Sequence, residues 1–162
     1  MSESGVSLRP CRPGDLPAVN AIIASGVTGW QLSERVKRLS IPLYQYDRSD
    51  LDHLRIQVAE RGGCILAVAA WDHAPEEQLL PGRTGYLLHG LYVAPEARDQ
   101  GLGAALLEAC RQAASDAGLD GVLVKAQADS AGFFVARGLE RLPVTRAERD
   151  YALRFWLPVD AG

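Results

Sequence analysis

The 162 residues are 48% hydrophobic, a size and balance that predict one domain with a sizeable core and no second independent domain. Twenty acidic side chains against 17 Lys and Arg leave a formal net charge of −3, which excludes the basic footprint of a nucleic-acid binder. The opening MSESGVSLRPCRPGDL has no apolar signal core, and the longest apolar run, Cys64 to Trp71, is far short of the ~20 residues that span a bilayer. The expectation is a soluble cytoplasmic protein without membrane contact. Cys11, Cys64 and Cys110 are odd in number and widely separated in apolar surroundings, so they are expected as reduced core thiols.

Val6 to Cys11 predicts a short strand, and the turn Arg12-Pro13-Gly14-Asp15 leads into a helix opening at Leu16-Pro17 with Asp15 as its N-cap. A second helix is predicted from Trp30 to Leu39, with Leu32, Val36 and Leu39 on one face and Glu34, Arg35, Lys37 and Arg38 on the solvated remainder. Ile56 to Glu60 alternates, Arg61-Gly62-Gly63 turns, and Cys64 to Trp71 is continuously apolar, together a β-hairpin. Asp72 to Gly85 is a loop, and Tyr86 to Val93 a further strand ended by Pro95.

The clearest helix runs from Leu102 to Ala117, its stripe formed by Leu102, Ala105, Leu106, Ala109, Cys110, Ala113 and Ala117, with Gly118 as the stop. Val122 to Val124 is a buried strand, Ser130 to Arg137 a short helix, and Leu139 to Val144 with Tyr151 to Leu157 a closing strand pair. This order describes an α/β domain over residues 1–162: a central mixed, mostly antiparallel sheet flanked by helices.

Chemistry concentrates in Leu91-Tyr92-Val93-Ala94-Pro95-Glu96-Ala97-Arg98-Asp99-Gln100-Gly101-Leu102-Gly103-Ala104, which passes from a strand end through a loop into the best helix. Unpaired amides at a helix start, the helix dipole and glycines that admit a bulky phosphate make an anion site; the alternative is that Gly101 and Gly103 only serve a tight turn. No Lys stands where a Walker motif needs one, and Leu106 occupies the third glycine position of the dinucleotide fingerprint.

Arg98-Asp99-Gln100-Gly101-Leu102-Gly103 resembles the acyl-CoA-binding motif of the GCN5-related N-acetyltransferase (GNAT) superfamily, with Gln or Arg, two residues, Gly, any residue, and Gly or Ala. Val93-Ala94-Pro95 is similar to the strand end that precedes that motif, and Ser130 to Leu139 to the family's last helix. The resemblance implies a GNAT fold, acetyl-CoA as co-substrate and an amine acceptor. It also implies coenzyme contacts from Leu91, Tyr92, Val93, Arg98 to Ala104, Phe133 and Phe134; a homodimer is compatible with it. Residues 30–54, where such enzymes read their acceptor, resemble nothing assignable.

N-acetyl transfer needs a base for the amine and a proton for the departing thiolate. His89, on the strand entering the loop, is the candidate base, the alternative being a hydrogen-bonded core histidine. The superfamily often donates the proton from a Tyr at the position of Phe134; a phenyl ring cannot, which leaves solvent or another hydroxyl, with Tyr151 the candidate and a packed strand Tyr its alternative. Tyr92 alternates to the opposite strand face from His89. Lys125, Gln127, Arg149 and Asp150 are either substrate-orienting or merely solvated.

A hydrolase elbow at Ala128 to Gly132 fails on order, since all three histidines precede Ser130, and no Cys or His pair has metal-ligand spacing, so no metal is expected. The remaining alternative to an N-acetyltransferase is a non-catalytic acyl-CoA-binding or regulatory module.

Overall fold

A computed structural model describes residues 5–126, 130–144 and 153–159. The elements in order are β1 (Val6–Pro10), α1 (Leu16–Thr28), α2 (Glu34–Tyr44), α3 (Asp50–His53), β2 (Arg55–Arg61), β3 (Cys64–His73) and β4 (Gly85–Val93). They continue with α4 (Leu102–Asp116), β5 (Gly121–Lys125), α5 (Ala131–Ala136), β6 (Glu140–Arg141) and β7 (Arg154–Pro158). The strands form one sheet in the order β1-β2-β3-β4-β5-β7-β6, mixed and mostly antiparallel, as the element order predicted. The chain divides into two compact units, Met1–Ala70 with Gly90–Leu107 and Trp71–His89 with Glu108–Gly162.

In the first unit, α1 buries Leu16, Val19, Ile22, Ile23 and Val27, spaced to fall on one side of a helix. Val19, Ile23 and Val27 pack with Ile56 and Val58 of β2 and Val68 and Ala70 of β3. Asp15 precedes α1 but makes no side-chain cap; its carboxylate is taken by the Arg9 guanidinium at 2.7 Å and by the Arg12 amide at 2.8 Å. Arg9 also pairs with Glu60, so one cation holds the α1 entrance to the β1–β2 ladder, which runs from Val6↔Arg61 to Pro10↔Gln57.

The second helix differs from expectation. It begins four residues later, at Glu34, because the Ser33 hydroxyl accepts the Val36 amide and so sets the N-terminus. It runs five residues further, through Pro42 to Tyr44. The stripe of Leu32, Val36 and Leu39 is exposed rather than buried, and Leu43 is exposed with it. Packing against the core comes instead from Trp30, Ile41 and Tyr44, with the Trp30 and Tyr44 rings edge to face at 5.1 Å. The thiols also divide: Cys110 is buried, Cys11 half-buried and Cys64 exposed at the start of β3, so Cys64 is no core thiol.

In the second unit, β4 pairs in parallel with β5 from Gly85↔Gly121 to Leu88↔Val124, β5 pairs antiparallel with β7, and β7 with β6. Leu87, Leu123, Leu142 and Trp156 form its core, and the segment after β3 contributes Ala74, Leu79 and Leu80 rather than acting as a bare connection. Across both units α4 buries Leu102, Leu106, Leu107, Cys110 and Ala114, while Ala117 lies exposed past its end, so the stripe is rotated from the predicted one. No described helix is long and apolar enough to cross a membrane.

The Trp156 ring lies where Gly121 would carry a side chain: a Cβ there would stand 2.5 Å from Trp156 Cζ2 and 2.6 Å from the Leu157 carbonyl oxygen. The backbone oxygen cannot yield without breaking the β5–β7 ladder. Gly121→Ala is therefore expected to destabilise the fold by about 1–3 kcal/mol, the usual scale of overpacking, read as a lowered urea midpoint; an unchanged midpoint would show that β7 can shift.

Candidate active site

β4 ends at Val93, and the Ala94 amide donates to the Leu66 carbonyl at 2.8 Å, fixing the exit from the strand. A single turn at Pro95–Ala97 follows, then extended Arg98 (φ −68, ψ 157). Asp99 at φ 64 and Gly101 at φ 79 adopt left-handed backbone. For Asp99 this costs about 1–2 kcal/mol, a strain that a side chain without β-branching tolerates. The Ala105 amide donates to the Gly101 carbonyl at 3.0 Å as the first bond of α4, so the amides of Leu102, Gly103 and Ala104 precede the helical ladder. Leu102 and Gly103 are buried and pin this helix start, whereas Arg98, Asp99, Gln100 and Gly101 are exposed. The Gln100 Oε1 accepts from Arg61 Nη2 at 2.9 Å, tying the loop to the end of β2. The result is a set of amides ahead of the helical ladder at the positive end of a 15-residue helix, a geometry suited to a phosphate group.

Upstream on β4, Leu91, Tyr92 and Val93 are half-buried. The Tyr92 ring covers Gly26 of α1, and its hydroxyl is pushed up in pKa by burial. Beside it stands Tyr46, which sequence reasoning passed over. Asn20 of α1 clamps the Tyr46 backbone, accepting its amide at 2.9 Å and donating to its carbonyl at 2.8 Å. This brings the Tyr46 hydroxyl to 2.8 Å from where Gly90 would carry a Cβ. Burial raises the pKa of Tyr46 as well, so both phenols stay neutral at physiological pH. Nothing in local periodicity signals Tyr46, because its position depends on a tertiary clamp.

His89 lies in the second unit and is exposed, so it is not the core histidine that its apolar strand allowed. Partial desolvation holds its pKa below the ordinary histidine value, Asp72 pulls it upward and Lys125 downward. Lys125, half-buried at the end of β5, is itself lowered by burial and by the charge of Arg154. Arg154 is buried at the start of β7; its Nη2 donates to the Pro143 carbonyl at 2.9 Å and its Nη1 to the Gln78 carbonyl at 3.3 Å. A cavity of about 450 Å³ beside it is lined by half-buried Leu79 and Leu80 and by exposed Glu76, Glu77, Pro81, Gly82 and Pro143.

Phe134 is buried, tilted against Phe155 of β7 at 5.9 Å and edge-on to Phe133 at 5.2 Å; Phe133 is half-buried under the Arg137 guanidinium at 5.1 Å. Tyr151, Gln127, Arg149 and Asp150 lie outside the described residues. Among the described residues, no group of His, Cys, Asp and Glu is arranged to hold a metal ion.

A family model described as the acetyltransferase (GNAT) family matches residues 26–139, more than half of the chain. The chain belongs to the GNAT family. No curated protein sequence matches it significantly. Solved structures share its fold: the PaiA N-acetyltransferase of Thermoplasma acidophilum, in complex with coenzyme A, matches with a TM-score of 0.74 at 13% identity, covering 98% of this chain and 99% of that one. A GNAT family acetyltransferase of Brucella melitensis, in complex with acetyl-CoA, matches with a TM-score of 0.63 at 18% identity over 94% of this chain and 87% of that one. At such identities the likeness is one of fold. Family membership makes the chain an acyltransferase, and the matched span includes His89, the loop from Arg98 to Ala104, Phe133 and Phe134 but ends before Tyr151.

The charges around His89 fix the signs of a titration. In the intact GNAT protein the His89 imidazole is expected to titrate below the ordinary midpoint near pH 6.5, followed by its ring-proton NMR shifts. Lys125→Met should move the midpoint up and Asp72→Asn should move it down; shifts of the opposite sign would refute the assigned partners.

Proposed function

We propose that this GNAT protein transfers the acetyl group of acetyl-CoA to a primary amine of a small molecule. The observation that carries this reading is the amide cluster from Arg98 to Ala104 at the start of α4, directly after β4. It fits a pyrophosphate: the left-handed turn at Gly101 and the unladdered amides of Leu102, Gly103 and Ala104 supply donors without any side chain. Leu91, Tyr92 and Val93, which lead into the loop, are the positions from which β4 would support the rest of the coenzyme.

Acetyl-CoA supplies the acyl group as an activated thioester. His89 takes the proton from the acceptor ammonium, directly or through one water, and the freed nitrogen attacks the carbonyl carbon. The C–N bond forms as the C–S bond breaks, the attacking nitrogen releases its second proton to solvent, and the thiolate takes up a proton from solvent or a hydroxyl. The depressed pKa of His89 keeps its imidazole neutral, the form able to accept a proton, across the physiological range. Phe134, packed against Phe155, cannot supply that proton. Tyr151 remains our candidate acid. The absence of a phenol at position 134 also favours a second reading, a module that binds the coenzyme without turnover.

Two variants test the assignments. Gly101→Val should retain native circular dichroism yet lose acetyl-CoA binding in calorimetry, because φ 79 is strained for a β-branched residue and the amides turn away; parental affinity would place the phosphates elsewhere. His89→Ala should lower kcat about 10²–10⁴-fold in a thiol-release assay with little change in coenzyme affinity, and should abolish the acidic limb of the pH–rate profile. That limb should lie below pH 6.5 in the parent, and its survival in the variant would return His89 to a structural role.

A further inference from the structure

We infer that the row formed by His89, Lys125 and Arg154, with the apolar cavity beside Arg154, selects an acceptor that carries a carboxylate and an apolar side group alongside its amine. The inference rests on the proposed amine acetylation and names the class of amine.

The row follows from strand register. Lys125 pairs with Arg154 across β5 and β7, and the neighbouring pair on the same face is Leu123 with Trp156. Leu87, Leu123 and Trp156 share the core of this unit, so His89 and Lys125, two residues on, and Arg154, two residues back in antiparallel β7, rise on the same face. Lys125 directly follows Val124, the last β5 residue paired with β4, so it lies on the strand next to that of His89, and Arg154 lies on the strand beyond. Leu79 and Leu80 both pack on that core face and line the cavity with Arg154, so the cavity opens beside the row.

The charges are segregated. Asp72 acts on His89 from one side and Lys125 from the other, while Arg154 acts on Lys125. None of the ion pairs among the described residues involves Lys125. An ammonium is therefore drawn toward Asp72 and His89 and a carboxylate toward Lys125 on the neighbouring strand. Burial lowers Lys125, and a carboxylate counter-ion would reverse that shift. Glu76, Glu77, Pro81 and Pro143 are exposed at the rim, where water screens the two carboxylates, and half-buried Leu79 and Leu80 supply the apolar lining for a side group.

The test uses matched acceptors on the full chain: leucine and phenylalanine, their amides, and the amines lacking the carboxyl group, 3-methylbutylamine and 2-phenylethylamine. Acetyl transfer is read by thiol release, and binding by calorimetry with coenzyme A present. At least one amino acid should exceed its amide and its plain amine about 10- to 100-fold in kcat/KM and in affinity, the scale of one charge-assisted contact. Lys125→Met should bring that ratio close to one, and Lys125→Arg should restore most of it. Equal use of acid and amide by the parent, no binding of either amino acid, or a ratio that survives Lys125→Met would overturn the inference. Equal acetylation of all the amines would do so while leaving the N-acetyltransferase proposal intact. Lys125-dependent binding without thiol release would uphold the acceptor site and remove the transferase proposal.

Discussion

The parallel pairing of β4 with β5 is the constraint on which the site depends. Parallel neighbours cannot be joined by a hairpin; the chain must return along the whole strand, and a helix is the compact way to do so. α4 is that return, and it has to begin near the C-terminal end of β4. The end of a helix that must sit there is the one with free amides and positive dipole. A helix start after β4 is thus a consequence of topology, and the sequence from Arg98 to Gly103 shapes it. Gly101 permits the left-handed turn, Leu102 and Gly103 bury the first helical residues, and Gln100 ties the loop to β2.

The same pairing shapes the row of His89, Lys125 and Arg154 in the second unit. The β4–β5 ladder runs to Leu88↔Val124, whereas β4 itself continues to Val93. His89 is the first residue past that ladder, and Lys125 is the last of β5. One step earlier the same face is wholly apolar, with Leu87, Leu123 and Trp156. A charged row directly above a packed apolar row is tolerable only where its members reach water or hydrogen-bond partners. His89 is exposed, and buried Arg154 spends two nitrogens on the carbonyls of Pro143 and Gln78. The segment between β3 and β4 supplies both Gln78 and the cavity wall, so it acts as part of the site's frame.

Most of this architecture was legible from residue patterns, because its main elements carry strong local periods: the hairpin around Gly62-Gly63, β4, and the span of α4. The turn from β4 into α4 was legible for the same reason, since glycines, strand end and helix start are contiguous in the chain. Three features were not. The start of α2 depended on the Ser33 cap outweighing the apolar residues from Trp30, and which face of α2 is buried depended on where Ile41 and Tyr44 land. Tyr46 reaches Gly90 through the Asn20 clamp, a contact 26 residues apart. The juxtaposition of Lys125 with Arg154 needs the register of β5 on β7, and no local rule sets the register of strands so far apart in sequence.

Magnitudes decide which missing group matters more to a GNAT enzyme of this composition. A lysine-like amine has a pKa near 10.4, about 3 units above neutral pH, so its unprotonated form costs roughly 4–5 kcal/mol. A thiol near 8.5 lies only about 1.5 units above, so expelling the thiolate unprotonated costs roughly 2 kcal/mol. Losing a phenol at position 134 therefore removes the smaller assistance, and water can supply a proton to a thiolate after it departs. The larger barrier falls on the amine, and in the proposed mechanism a neutral His89 imidazole lowers it, its charge environment set by partial desolvation, Asp72 and Lys125. Phe134 is accordingly free to be a core residue, packed on Phe155 and joining α5 to β7, where a tyrosine would need a partner for its hydroxyl.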